Sequence, residues 1–289
     1  MATVTDVPYD DPNAQISCFA LLSLVSPVFK DMLAMPQPEH ATTESHPVIP
    51  VAEDSETLRL ILSWCDPRLS PALDTDTLQD IQTVLHTADK YCMESVTKRV
   101  GDILSYGIRD LCPAGMGSLR VYAIAMRYRL ETVAKKAARC SLEAKWEDLM
   151  SEDIPELDHI PASALHRLQQ YRVACGVVGA KKAAVDWSWI QDATGVVSGC
   201  PKCASGLPPR HWSRWWTQFM SIAAEELARN PSAATITHEL AIISSEYLGS
   251  CADCGRTQGE TYRSLMRFNK AFTKEIERTV GEVPFVPFP

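Results

Sequence analysis

The chain has 289 residues, 46% of them hydrophobic, and a formal net charge of −8. This composition supports a sizeable buried core and excludes a largely disordered chain, while the acidic balance argues against binding to phosphate backbones or anionic membranes. No apolar run approaches the roughly 18 to 20 residues that cross a bilayer, and the acidic start lacks the pattern of a secretory signal. We therefore expect a soluble, intracellular protein in the cytoplasm or the nucleus.

The first predicted helix begins at Ser26. Serine is a good N-cap, and Pro27 suits the first helical position because its missing N–H would have no partner there. The prolines of residues 35–38 end this helix. Its predicted inner face consists of Val28, Phe29, Met32 and Leu33.

A short strand and a second helix are predicted next. Residues 46–51 form a β-branched run with two prolines, which favours an edge strand. Asp54 then starts a helix. The apolar positions of that helix follow helical spacing: Leu58, Ile61, Leu62 and Cys65.

A helix–turn–helix unit occurs twice in the sequence. Residues 84–98 read VLHTADKYCMESVTK and residues 121–135 read VYAIAMRYRLETVAK, which keeps Val, Ala, Tyr, an apolar residue, Glu, Val and Lys in register. In each copy we expect the tyrosine to close one helix, the glutamate to lie in the first turn of the next helix, and the lysine to face outward. The repeat predicts stacked helical pairs.

Three of these stretches, taken in order, resemble a known family. Ser-Pro-x-Phe, then Val-Ile-Pro-Val-x-Glu-Asp-Ser-x-Thr-Leu, then Ala-x-Lys-Tyr-x-Met-Glu-x-Val together resemble a BTB (POZ) domain, particularly of the fungal type, over about residues 16–106. The resemblance implies helices packed on a short sheet and a role in protein association. The matching residues are Ser26, Pro27, Phe29, Val48 to Val51, Asp54, Ser55, Leu58, Ala88, Lys90, Tyr91, Met93, Glu94 and Val96.

The start of the chain departs from this family pattern. The family opens with a hairpin and a Phe-x-x-His-Lys run that line a homodimer interface, whereas Cys18 and Phe19 stand at the His and Lys positions here. The sequence therefore predicts a divergent or truncated hairpin. A homodimer is implied by the resemblance, but its usual contact residues are not in place.

The second half of the chain is predicted to be all-helical. Residues 162–185 show apolar positions at helical spacing: Leu165, Leu168, Tyr171 and Val173. Two further helices are expected near 237–248 and from about Glu260 to Val280, followed by a proline-rich tail at 283–289. Another helix has an aromatic face, which we interpret as core and not as a base-stacking surface: Trp212, Trp215, Trp216, Phe219, Ile222 and Ala223.

Four of the ten cysteines form two Cys-x-x-Cys pairs, Cys200 with Cys203 and Cys251 with Cys254. Two residues between thiolates allow both sulfurs to reach one zinc ion about 2.3 Å away. The 47 residues between the pairs exceed the usual roughly 15 to 20. The preferred interpretation is one structural zinc site that joins the C-terminal helices.

Other interpretations of the cysteines remain open. The four thiols could simply pack near each other in reduced form, or His211 or His238 could replace a ligand. Redox chemistry would require a βαβ context that the sequence lacks, and a four-cysteine site would leave no open position for catalysis at zinc. The six single cysteines are predicted to be buried free thiols: Cys18, Cys65, Cys92, Cys112, Cys140 and Cys175.

Motifs for enzymatic catalysis were not found in the sequence. Residues 176–181 miss the spacing of a phosphate-binding loop, and no Gly-x-Ser-x-Gly elbow occurs. The expected fold is α+β but mostly helical, with a divergent BTB-like domain over 1–107, a helical extension over 108–185 and a helical region with the cysteine pairs over 186–289. We therefore expect a non-enzymatic interaction module or adaptor.

The family resemblance also implies the kind of partner. Such domains recruit cullin-type ubiquitin ligases or transcriptional co-regulators, and the sequence does not distinguish the two. The alternatives are a zinc-dependent or thiol enzyme and a nucleic-acid-binding regulator.

Overall fold

The chain is predominantly helical and divides into two compact units in this computed structural model. The first unit comprises Met1–Pro113 with Val121–Lys136, and the second comprises Ala114–Arg120 with Ala137–Pro289. The structure describes residues 2–3, 20–35, 42–43, 46–47, 50–66, 78–151, 153–192, 204–205, 212–236 and 258–288. The division into 1–107, 108–185 and 186–289 stays a prediction.

Five helices follow a short helical segment at residues 20–25 in the first part of the chain. They are α1 Pro27–Ala34, α2 Ser55–Cys65, α3 Leu78–Lys90, α4 Glu94–Tyr106 and α5 Ile108–Leu111. Their ends follow the predicted local signals. Ser26 caps α1 by accepting a hydrogen bond from the Phe29 amide, and Asp54 caps α2 by accepting one from the Thr57 amide.

The described strands of this unit form two-stranded antiparallel pairs. Strands β1 Ala2–Thr3 and β4 Pro50–Val51 pair with each other, as do β2 Thr42–Thr43 and β3 His46–Pro47. The predicted edge strand at 46–51 is thus described in two short pieces, and Val48 and Ile49 lie outside the described residues. The helical character is confirmed, whereas a sheet of the BTB type stays a prediction.

The repeated helix–turn–helix unit is present in both copies. Helix α3 ends before Tyr91 and α4 begins at Glu94, just as α6 Ser118–Arg127 ends before Tyr128 and α7 Glu131–Cys140 begins at Glu131. Lys98 and Lys135 are exposed. The predicted placement of tyrosine, glutamate and lysine is therefore confirmed.

Each corner of the repeat has a left-handed residue that is not glycine. Cys92 has φ 52° and Arg129 has φ 56°. The next amide bonds back to the helix it follows, from Met93 to the Ala88 carbonyl at 2.7 Å and from Leu130 to Ala125 at 2.8 Å. This is the Schellman pattern of a helix C-terminus, and it recurs at the same position of both copies.

Four helices belong mainly to the rest of the second unit. They are α8 Trp146–Ser151, α9 Ala162–Ala184, α10 Arg214–Arg229 and α11 Gln258–Gly281. Short 3-10 helices occupy Pro113–Gly115, Ser141–Glu143, Pro155–His159 and Ser188–Asp192. Strands β5 Ala204–Ser205 and β6 Trp212–Ser213 pair antiparallel. The predicted helix near 237–248 lies outside the described residues.

Helix α9 buries a face made largely of small residues. Gly176 lies so close to α10 that a Cβ built there would be 2.5 Å from the Ala228 carbonyl oxygen, while one at Gly179 would make an ordinary 3.6 Å contact with Leu227. Val173, an apolar position of the predicted helix, is instead 59% exposed. Close packing of glycines, and not the largest apolar side chains, selects the buried face of this helix.

Aromatic rings from three elements form the core near α10 and α11. Trp189 stacks on Phe272 with ring centroids 5.0 Å apart, and Trp216 and Phe219 of α10 contact Phe268 edge to face. Trp216 and Phe219 are completely buried, so these two rings cannot stack on bases. The prediction that they are core residues is confirmed; the side chains of Trp212 and Trp215 lie outside the described part.

None of the helices in the described residues is both long enough and apolar enough to cross a membrane.

Candidate functional site

Two of the residues that carry the BTB resemblance, Ser26 and Phe29, contact a third, Tyr91, in the first unit. Phe29 of α1 is 1% exposed and stacks on the Tyr91 ring with centroids 4.5 Å apart. The Ser26 hydroxyl donates a hydrogen bond to the Tyr91 carbonyl at 2.7 Å while it caps α1. The two motifs, 65 positions apart in the chain, therefore form one buried contact.

Glu53 completes this contact from the loop after β4. Its carboxylate accepts hydrogen bonds from the Tyr91 hydroxyl and from the Lys90 ammonium, and its side chain is 10% exposed. We call Ser26, Phe29, Glu53, Lys90 and Tyr91 the Tyr91 cluster. It connects the start of α1, the end of β4 and the end of α3.

Burial and hydrogen bonding shift the pKa values of two groups of the Tyr91 cluster, Tyr91 and Glu53. Burial and the hydrogen bond to Glu53 raise the pKa of Tyr91 above its usual range, so the phenol stays a donor. Burial acts to raise the pKa of Glu53, but the hydrogen bonds from Lys90 and Tyr91 outweigh it and leave that pKa lowered. The hydroxyls of Ser26 and Tyr91 therefore form hydrogen bonds that hold α1, the loop after β4 and the end of α3 together.

Glu53 stands at the Glu position of the motif Val-Ile-Pro-Val-x-Glu-Asp-Ser, but no role was predicted for it. Its signal was its place in Val51-Ala52-Glu53-Asp54, directly between the end of β4 and the N-cap of α2. An acidic residue at such a junction is usually solvated. Only the packing of α3 against this loop shows that Glu53 pairs with Lys90.

The two cysteine pairs of the zinc prediction, Cys200 with Cys203 and Cys251 with Cys254, lie outside the described residues, as do His211 and His238. The elements next to them are described. Strand β5 begins directly after Cys203 and pairs with β6, which leads into α10, and α11 begins four residues after Cys254. A short hairpin immediately after a Cys-x-x-Cys pair is compatible with a zinc knuckle.

The helices that follow the two cysteine pairs contact each other through the aromatic core. Phe219 of α10 packs edge to face on Phe268 and Phe272 of α11. Within the described residues, no group of three or more His, Cys, Asp or Glu side chains could hold a metal ion. A zinc site on the four predicted cysteines stays a prediction.

The described single cysteines are not in disulfides. Cys65, Cys112, Cys140 and Cys175 are buried, as predicted, and burial raises the pKa of Cys175 to about 11. Cys92 is exposed, so the prediction that it is buried was wrong. The reason is the left-handed corner between α3 and α4, which turns position 92 away from the apolar face that the α3 spacing indicated. Cys18 lies outside the described residues.

Comparison of the whole chain with protein-family models, with curated proteins and with solved structures finds no match in any of the three.

Proposed function

We propose that the first unit is a divergent BTB-type interaction module and that the protein acts as a non-enzymatic adaptor. The observation that supports this is the Tyr91 cluster, in which residues from three separate stretches contact one another. A module of this kind would act by presenting its surface to another protein, either a cullin-type ubiquitin-ligase scaffold or a transcriptional co-regulator.

The exposed apolar side chains of this unit are where partner binding can be tested. Tyr106 at the end of α4 is 92% exposed and Leu24 is 82% exposed. Substituting such positions has little effect on stability, usually within about 0.5 kcal/mol, so a loss of binding there reports on the surface and not on folding.

The experiment is affinity purification of the intact protein from cells, followed by direct binding of each recovered protein in purified form. We expect Leu24→Asp or Tyr106→Asp to weaken the direct binding about tenfold or more, with unchanged thermal unfolding. The matched control is Val173→Asp, at a 59% exposed apolar position of the second unit. Equal binding by all variants, or no purified protein that binds, would contradict the adaptor proposal.

We further propose that Cys200, Cys203, Cys251 and Cys254 hold one structural zinc ion. The hairpin directly after Cys203 and the start of α11 soon after Cys254 support it. Thiolate binding of zinc would stabilise the second unit. The purified protein should contain about one zinc per chain, which Cys200→Ser and Cys251→Ser should both lose, whereas Cys92→Ser should keep it. This proposal would be wrong if the wild type without metal were as stable as the wild type with zinc.

A further inference from the structure

The C-terminal tail packs along α9 in the second unit. Residues 284–288 form no regular helix or strand, yet the Phe285 ring lies 4.8 Å from the Tyr171 ring, and the Arg167 Nε atom donates a hydrogen bond to the Pro287 carbonyl at 3.0 Å. Pro287 is buried, whereas Val286 between these two contacts is 67% exposed. The tail thus alternates between residues that face α9 and a residue that faces solvent.

The spacing of these contacts matches an extended peptide to a helix. Arg167 and Tyr171 are four residues apart, which is about 6 Å along a helix axis. Phe285 and Pro287 are two residues apart, which is also about 6 Å in an extended or polyproline chain. The tail runs antiparallel to α9, and each step of two tail residues meets the next turn of the helix.

Arg139 holds the start of the tail in place. Its guanidinium donates a hydrogen bond to the Glu277 carbonyl in the last turn of α11 at 3.2 Å and lies against Gly281, where a Cβ would be 3.0 Å away. A cation at this position also suits the negative end of the helix dipole. The chain therefore leaves α11 at a defined point next to α9.

The sequence of the tail suits this mode of binding. Residues 283–288 read as two copies of Val-Pro-Phe, and Pro289 follows. Proline restricts its own φ and keeps the residue before it extended, so little conformational entropy is lost when such a segment binds. Proline has no N–H to donate, so the tail prolines can bond only through their carbonyls. The Arg167 side chain is the donor to the Pro287 carbonyl.

We propose that the strip of α9 formed by Arg167 and Tyr171 is a docking site for an extended Val-Pro-Phe-type segment of a partner protein, and that the C-terminal tail occupies it as an intramolecular competitor. The tail shows which chemistry the strip accepts: a ring on Tyr171 and a carbonyl on Arg167 two residues later. This inference concerns the second unit and does not depend on the adaptor function proposed for the first.

Competition from the tail lowers the affinity that we expect the wild-type protein to show for an added peptide. A ligand tethered by a short linker has an effective concentration on the millimolar scale, so a peptide added in solution must displace it. Since Val286 is mostly exposed and the tail has no strand or helix bonds, its release needs no unfolding of α9 or α11. Peptide binding to the wild type should therefore be measurable but weakened.

The test uses full-length protein and a fluorescein-labelled peptide Val-Pro-Phe-Val-Pro-Phe-Pro, followed by fluorescence anisotropy. Phe285→Ser with Phe288→Ser should release the tail and strengthen peptide binding about tenfold or more over wild type. Val286→Ser, at the exposed position of the same tail, is the matched control and should bind like the wild type. Adding Arg167→Met to the released variant should weaken binding about tenfold.

Thermal unfolding and near-UV circular dichroism establish that each variant is folded. If the double variant does not fold, Phe285→Ser alone, which removes the ring from Tyr171 and keeps Phe288, is compared with wild type and should bind more tightly. No binding by any folded variant at about 1 mM peptide, the scale of the tether's effective concentration, overturns the proposal. The proposal is also overturned if the released variant and the wild type bind the peptide equally, or if Arg167→Met leaves peptide binding by the released variant unchanged. A wild-type dimer that the released variant loses would identify a second copy's tail as the occupant and overturn the assignment to a different partner.

Discussion

At the scale of single residues, buried and half-buried polar groups bind backbone or charged partners from distant parts of the same unit. The Glu53 carboxylate accepts hydrogen bonds from the Lys90 ammonium and the Tyr91 hydroxyl. Arg172 is 5% exposed and donates hydrogen bonds to the carbonyls of Ser141 and of Ala144, the latter at 2.8 Å. Such groups stabilise a fold only when every partner is present. They are therefore the most sensitive positions to substitute.

The stability of the first unit should fall with acid because of Glu53. Its pKa in the folded state is lowered from 4.5, so its contribution is fully present above that value and is lost as the pH falls through the folded pKa. Glu53→Gln should cost about 1 kcal/mol at neutral pH and reduce the acid sensitivity. The measurement is urea unfolding of both proteins between roughly pH 3 and 7.

Asp102→Asn is the control, because Asp102 is an exposed carboxylate in the middle of α4. It should leave both the neutral-pH stability and its dependence on acid close to wild type. If Glu53→Gln and wild type lose stability in parallel as the pH falls, Glu53 does not carry the effect.

Arg172 is the second residue whose loss should be severe. Burial lowers the pKa of Arg172 to about 10, which leaves it a cation at neutral pH, and its guanidinium lies over the Trp146 ring at 5.4 Å. Arg172→Met removes a charged donor from two buried carbonyls and should cost roughly 2 to 5 kcal/mol. Arg172→Lys keeps the charge but not the planar fork, so its cost should be intermediate.

Thermal unfolding and urea unfolding of the second unit measure this effect. Arg229→Met is a suitable comparison, since the Arg229 side chain is 73% exposed and its removal should be nearly neutral. Similar losses for the two methionine variants would contradict the structural role of Arg172.

At the scale of elements, the close approach of α9 and α10 depends on one glycine more than on its neighbour. Alanine at Gly176 would place a Cβ 2.5 Å from the Ala228 carbonyl oxygen, and relieving that overlap should cost roughly 1 to 3 kcal/mol. At Gly179 the new contact is an ordinary one at 3.6 Å. Gly179→Ala should therefore be neutral or stabilising by up to about 1 kcal/mol, because alanine favours the helix. Equilibrium unfolding should show that Gly176→Ala lowers the free energy of unfolding and that Gly179→Ala does not. Equal changes for the two variants would contradict this packing.

At the corner between α3 and α4, introducing a glycine should stabilise the protein. Cys92 is exposed and has φ 52°, a conformation that favours glycine. Cys92→Gly should stabilise the protein by about 0.5 to 1 kcal/mol. Asp89→Gly, at an exposed helical position three residues earlier, should instead destabilise it by about 1 kcal/mol. Denaturant unfolding compares the two, and destabilisation by both would show that residue 92 does not hold this conformation.

At the scale of the whole molecule, the chain is mostly helical and divides into two units. The helix at 26–34, the helix from Asp54, the repeated pair and the final helix were all predicted, because their signals are local: a capping side chain, a proline, or an apolar period. The candidate site was predicted only in part. Ser26, Phe29 and Tyr91 were named as matching residues, whereas Glu53 stood in the quoted motif without a predicted role, since its partner Lys90 is 37 positions away in the chain.

Local signals along the chain specify where most helices begin and end and which residues close the repeated corner, because those outcomes depend on neighbours a few positions apart. Tertiary packing specifies which face of α9 is buried, why Val173 and Cys92 are exposed, and where the proline-rich tail lies on Arg167 and Tyr171. These outcomes depend on which elements meet in space, and a pattern along one segment carries no information about the surface that packs against it.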